Sequence, residues 1–273
     1  MLLNLKNIFN NTIIKVLQFE FYENLRNKWV FYYSGLFFIL TYLIIRFGGA
    51  QPLQASGSLL SLVILLVPIF SLIFGSVSFI ETLGFMELMA AQPVKRSSIY
   101  IGKCLGLSIS LSMSFLLGMG LAIILSLSHS DKGLGTIIML LVLGVMLSFV
   151  FVSFAFLLAN LSNKKEIVLG LVLTIWFYFF ILHDLIMFGV VVSFGDYPLE
   201  WLILTMSALN PIDLSRVIIT LHMDLSSLMG ASGALIYNFF GGAKGIVLGM
   251  SMLCLWFTAP LLIGIKIFNK RNL

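Results

Sequence analysis

The residues with most to offer chemically sit in one run, Phe79-Ile-Glu-Thr-Leu-Gly-Phe-Met-Glu-Leu-Met-Ala-Ala-Gln-Pro-Val-Lys-Arg-Ser-Ser-Ile-Tyr-Ile-Gly-Lys103. Glu81 and Glu87 bracket a short helical stretch with Gly84 inside it, Pro93 stops it, and Lys95 and Arg96 restart the chain toward Gly102 and Lys103. No nucleophile, acid–base pair or ligand set is formed there. The run offers a rigid charged helix at a membrane surface, a shape able to receive a push from a soluble motor. An ordinary connection obeying the membrane charge rule would carry the same residues.

Two further polar groups fall late in the chain. His183-Asp184 interrupts an apolar run, and Asp184 lies 19 residues beyond Lys165, about 28 Å along a helix, near the far interface. There it is either simply hydrated or a polar contact at the mouth of a pathway. Asn210-Pro211-Ile212-Asp213 reads as a helix start, because Asn caps, Pro suits the first helical position and Asp the first turn; Arg216 follows.

Motifs for bond-making chemistry are missing. Gly102-Lys103 is followed by Cys104 and lacks the earlier glycine of a phosphate-binding loop, so the chain is not expected to hydrolyse ATP. There is no HExxH, no G-x-S-x-G and no Cys/His cluster. Cys104 and Cys254 have no CxxC partner and read as packing residues. Thirteen methionines, among them Met86, Met89, Met250 and Met252, could hold Cu(I), but scattered Met in a membrane core fills gaps. His129 and His222 are ambiguous. No catalytic residue, metal ligand or cofactor is therefore assigned.

The elements that must position these groups lie in lipid. The 273 residues are 60% hydrophobic and 10% charged, far from the roughly 25% charged residues of a soluble domain. The net charge of +5 comes from basic residues scattered between apolar runs, not from one face, which argues against nucleic acid. Six runs have bilayer length: Trp29–Phe47, Ser58–Ile80, Cys104–Ser128, Gly135–Leu161, Ile167–Phe194 and Gly245–Phe268. Residues 1–27 lack a signal-peptide pattern, so the first span is expected to be retained.

Assigned to alternate sides, Lys6, Lys15, Arg26, Lys28, Lys95, Arg96, Lys103, Lys164, Lys165, Lys266, Lys270 and Arg271 face Arg46, Lys132, Arg216 and Lys244. Twelve against four places both termini in the cytoplasm. The fold expected is an all-α integral membrane protein forming a single transmembrane domain over 1–273, with few intramembrane charges of the kind ion-coupled carriers use.

Three features refine it. Phe9, Ile13, Leu17, Phe21 and Leu25 recur every four residues within 1–28, as in an amphipathic helix lying among lipid headgroups or packed on a partner. Gly102, Gly106, Ser110, Ser114, Gly118 and Ala122 give the third span a face that another backbone can approach closely, within this chain or in a second one, and Gly241, Gly245 and Gly249 do the same for the last. In 195–244, Trp201–Leu209 is apolar but too short to span, which suggests a re-entrant helical segment at the outer mouth of a pathway, or a surface loop docking a partner.

The 81–103 loop resembles the E-x-x-x-G-x-x-E-L-x-x-x-x-P-x-x-R pattern, followed by Gly-Lys, of type-2 ABC transporter permeases, with Glu81, Gly84, Glu87, Leu88, Pro93, Arg96, Gly102 and Lys103 in matching positions. The second half is similar to permeases of nitrous-oxide-reductase maturation, the NosY type, through Trp176-Phe177, Asp184-Leu185, Trp201-Leu202 and Leu209-Asn210-Pro211-Ile212-Asp213-Leu214-Ser215-Arg216.

The resemblance implies a homodimer in a bacterial inner membrane, ATP-binding subunits inside, a periplasmic β-helix partner outside, and a part in assembling a copper–sulfur centre by moving a sulfur species. Glu81, Gly84, Glu87, Pro93, Arg96 and Lys103 would couple to the ATP-binding subunit; Asp184, Asn210, Pro211, Asp213 and Arg216 would sit at the outer mouth or touch the periplasmic partner. Rival readings are a type-2 exporter of a drug, lipid or polysaccharide, and a non-transporting scaffold for a maturation factor.

Overall fold

The computed structural model of the chain describes residues 2–47, 52–90, 94–126, 134–194, 200–222 and 243–270, and these are helical almost throughout. In chain order the helices are α1 (Leu2–Arg26), α2 (Lys28–Phe47), α3 (Pro52–Glu81), α4 (Leu83–Ala90), α5 (Arg96–Ser126), α6 (Leu134–Ala159), α7 (Lys165–Phe177), α8 (His183–Ser193), α9 (Glu200–Ala208), α10 (Pro211–His222) and α11 (Ala243–Lys270). A π-helical turn, Tyr178–Leu182, joins α7 to α8 in one rod. Among the described residues, six helices are long and apolar enough to cross a membrane: α2, α3, α5, α6, α7 with α8, and α11. Helices satisfy most backbone groups internally inside hydrocarbon, where water cannot; Pro68 in α3 and Pro260 in α11 each remove one helical N–H donor.

Small residues decide which spans touch. Gly75 on α3 lets Ala155 and Val152 of α6 approach, so that a Cβ there would lie 2.6 Å from the Ala155 Cβ. The regular row on α5 is used within the chain. Gly102 and Gly106 admit α1, at Val16 and Glu20, and Gly118 admits the α2 backbone at Ser34. On α11, Gly249 receives Ile218 of α10. Gly241 lies outside the described residues.

Aromatic rings lock the layers. Phe79, Tyr100, Phe156 and Phe268 join α3, α5, α6 and α11 at the lysine-rich end, with centroids 5.2–6.2 Å apart. Phe154, Phe179 and Trp256 do the same farther along α6, the π-helical turn and α11. The windows of α3, α5 and α6 are 50–61% buried, whereas those of α2, α7 with α8, and α11 are only 11–22% buried. The last three therefore present most of their apolar surface outward.

Three expectations need correcting. The third span starts at Arg96, so residues 96–103 are the first two turns of α5 and not part of a connection; its 31 residues make about 46 Å, longer than the hydrocarbon, and two polar turns can project. On α1 the most buried row is Val16, Glu20 and Asn24, one position off the apolar row, because the helix packs on α5 through an ion pair. Cys104 is buried as expected, but Cys254 is exposed on α11. The four methionines named above pack within or against the apolar core.

The α5 row gives a first test. A Cβ on Gly118 would meet the Ser34 carbonyl oxygen, whereas nothing lies within 4 Å of one on Gly120. Gly118→Ala is expected to destabilise the protein by about 1–3 kcal/mol, with Gly120→Ala neutral, in thermal melts in detergent.

Candidate functional site

At the lysine-rich end, α4 projects as a short surface helix. Gly84, Glu87 and Leu88 are exposed on it, while Met86 is fully buried and anchors it to the core. Phe85 stacks on Phe19 of α1 with centroids 5.5 Å apart. Below that contact, the fully buried Lys103 of α5 pairs with Glu20 of α1. Desolvation pushes the Glu20 carboxyl up, and Lys103 opposes the shift. Glu81, at the end of α3, accepts a hydrogen bond from Lys165 Nζ at the start of α7, 2.8 Å away. The Phe85–Phe19 stack and buried Met86 thus hold the surface helix, while the two ion pairs beside it join α5 to α1 and α7 to α3.

Toward the other end, α9 and α10 form a helical hairpin whose tip rests on the rod of α7 and α8. Asn210 makes the turn: its Oδ1 accepts the Ile212 backbone N–H at 2.9 Å, capping α10, and its Nδ2 donates to the Phe179 carbonyl at 2.8 Å and to Asp213 Oδ2 at 3.0 Å. Trp256 of α11 donates to the Ala208 carbonyl at 3.0 Å and packs its ring on Phe179, adding a second hold on the tip. Pro211, buried, occupies the first helical position.

Charges close this contact. His183 Nδ1 lies 2.7 Å from Asp213 Oδ2, and Arg216 Nη1 reaches Asp213 Oδ1 at 2.9 Å and Asp184 Oδ2 at 3.1 Å. Burial raises the Asp213 carboxyl to about 6, while Arg216 pulls the other way. One ligand atom each from His183, Asp184 and Asp213 falls within 4.8 Å of the others, as at a metal site, but the Arg216 guanidinium already bonds to both carboxylates. The arrangement is a polar clasp between α8 and α10.

The model of the ABC-2 family transporter protein covers residues 14–273. The chain belongs to the ABC-2 transporter family. It is also 28% identical, over 96% of its length and 99% of the relative, to "Probable ABC transporter permease protein NosY" of Stutzerimonas stutzeri. A protein of the same printed name in Pseudomonas aeruginosa PAO1 is 29% identical, over 92% of this chain and 96% of its own. An ABC-2 permease is the membrane subunit of an ABC transporter, and it implies an ATP-binding partner subunit.

Within this permease the expected site residues separate into different settings. Gly84 and Glu87 are on the exposed surface helix and Glu81 is exposed beside Lys165, but Lys103 is buried and pairs with Glu20. Arg96 starts α5; Pro93 lies outside the described residues. Asp184, Asn210, Pro211, Asp213 and Arg216 all meet at the hairpin tip, and Asp184 makes a polar contact instead of standing alone in water. His183, absent from the expected set, completes the clasp, and His222 sits beside Gly135 at the start of α6. His129 lies outside the described residues. Glu20 was also missed, because its partner is 83 residues away.

Proposed function

We propose that this permease serves nitrous oxide reductase maturation, moving a small sulfur species to the periplasm for assembly of the copper–sulfur centre. Its work is driven from the cytoplasm by a separate ATP-binding subunit. The observation that carries the mechanical part is α4, a short helix exposed at the lysine-rich end and braced on α1, α3 and α5. The substrate part rests on likeness to the two NosY permeases across nearly their whole length.

In this reading both termini are cytoplasmic in a bacterial inner membrane, since basic residues favour the cytoplasmic side. Two copies form the pathway, with the outward apolar faces of α2 and of α7 with α8 as the surface available for pairing. The hairpin is re-entrant: its tip touches Phe179, 14 residues and about 21 Å from Lys165, inside a hydrocarbon layer about 30 Å thick. Irregular backbone at that depth needs protein cover, which the clasp and Trp256 supply. A periplasmic β-helix partner would sit over this outer end.

Glu87 gives the test. Glu87→Ala, on an exposed site, is expected to leave the melting temperature unchanged and to cut ATP-dependent sulfide uptake into inside-out vesicles by about tenfold, through a lost charge-assisted contact worth 1.5–3 kcal/mol. Uptake that survives without an ATP-binding subunit, or failure of the solubilised permease to retain one, refutes the proposal.

A further inference from the structure

A cavity of about 460 Å³ opens beside the surface helix and is independent of the hairpin clasp. It runs along α3 from Glu81 to Phe70, 11 residues or about 16 Å, and changes character on the way. At its mouth stand Glu23 and Asn24 of α1, Glu81 of α3 and Lys165 of α7; at its base are Phe70, Phe74 and Val77 of α3. Such a volume lies within the range of small-molecule sites. A slot ionic at the level where the chain enters lipid and apolar below it matches an amphiphile lying parallel to the spans.

The charges select the headgroup. Glu20 is neutralised from behind by Lys103 and Glu81 by Lys165, whereas Glu23 makes no ion pair among the described residues. Glu23 is therefore an uncompensated anion at the end of the protein where basic residues predominate. Trp29, 62% exposed, stands at the same mouth. A carboxylate and an exposed indole lining one cleft are the chemistry that recognises an ammonium ion, by Coulomb attraction and by cation–π contact. Lys165 spends one of its three N–H donors on Glu81 and keeps others for a phosphate oxygen.

We propose that this cleft holds a bilayer phospholipid with a primary ammonium headgroup, its ammonium against Glu23 and Trp29, its phosphate near Lys165 and one acyl chain against Phe70 and Phe74. An anionic lipid would bring like charge to Glu23, and a second protein copy would have to bury that carboxylate unpaired. The lipid is a resident ligand rather than cargo, so its presence does not depend on what the permease transports.

Native mass spectrometry of the permease purified with its ATP-binding subunit tests this, with palmitoyl-oleoyl phosphatidylethanolamine and phosphatidylglycerol as probes. The ethanolamine lipid is expected to be retained at least about tenfold better than the glycerol lipid, and Glu23→Gln to remove most of that preference. Val77→Trp, which fills the apolar arm, should abolish retention, and free phosphoethanolamine should not compete. Equal retention of the two lipids, an unaltered preference in Glu23→Gln, or displacement by phosphoethanolamine overturns the proposal. So does efficient cross-linking of Val77→Cys to another protein chain, which would make the cleft a protein interface.

Discussion

Lys103→Met is expected to destabilise the permease by about 3–5 kcal/mol, the cost of removing one partner from a buried ion pair. Lys103 is fully buried and Glu20 nearly so, and Glu23 lies one turn farther along α1, so the stranded carboxylate is left beside a like charge without its ion-pair partner. Taking up a proton would relieve it, a course burial already favours. In thermal melts the loss should appear as a fall in Tm on the order of 10 °C.

The double variant Glu20→Leu with Lys103→Met should recover most of it, because an apolar pair of similar volume avoids the desolvation cost of both ions. A single variant that melts within 2 °C of the wild type would show that the pair is not structural. The effect should also reach function. Phe19, one residue before Glu20, carries the ring that braces Phe85 on the surface helix, so loosening α1 should lower transport per ATP hydrolysed in the surviving protein.

Lipid made most of the fold readable in the sequence. Spans need about 20 uninterrupted apolar residues, and that demand leaves a local pattern which located all six helices to within a few positions, except at the start of the third. There Arg96 and Lys103 looked like loop residues, because the charge that makes Lys103 tolerable inside a helix bundle sits on Glu20, far off in sequence. The same pairing hid the buried face of α1: Glu20 and Asn24 lie at its centre, where an apolar count sees a polar row.

At the hairpin the division is equally physical. Asn210-Pro211-Ile212-Asp213 could be recognised as a helix start because capping chemistry is local, and the structure has that cap. What Asn210 and Asp213 reach across to was not legible. The Phe179 carbonyl is presented within a π-helical turn, which has no residue signature in Tyr178–Leu182, and His183 could be given a partner only once α10 was seen to fold back on α8. Local rules located the donors; only tertiary structure supplied the acceptors.

Asp213→Ala should release the hairpin. Asp213 is buried, and its two oxygens face Asn210 Nδ2, His183 Nδ1 and Arg216 Nη1 together, so one substitution strips a contact from three polar groups on both sides of the α8–α10 boundary. Asn210 and His183 are themselves buried and have no water to turn to, while Arg216 is part-exposed and keeps Asp184. Asn210 keeps the Phe179 carbonyl and the Ile212 N–H but loses one hydrogen bond, and His183 loses its carboxylate neighbour; at about 1–3 kcal/mol for each buried contact, a local loss of about 3 kcal/mol is expected. Hydrogen exchange of the α10 amides should then quicken by roughly 100-fold if the hairpin opens as a unit, with α5 and α6 unaffected. Asp213→Asn, which keeps an acceptor and the volume, should show a smaller rise; equal, slight acceleration in both variants would mean that the hairpin is held by Trp256 and its apolar face alone. Because the clasp fastens this hairpin to the span carrying Asp184, its release should also uncouple ATP hydrolysis from uptake even when the ATP-binding subunit remains bound.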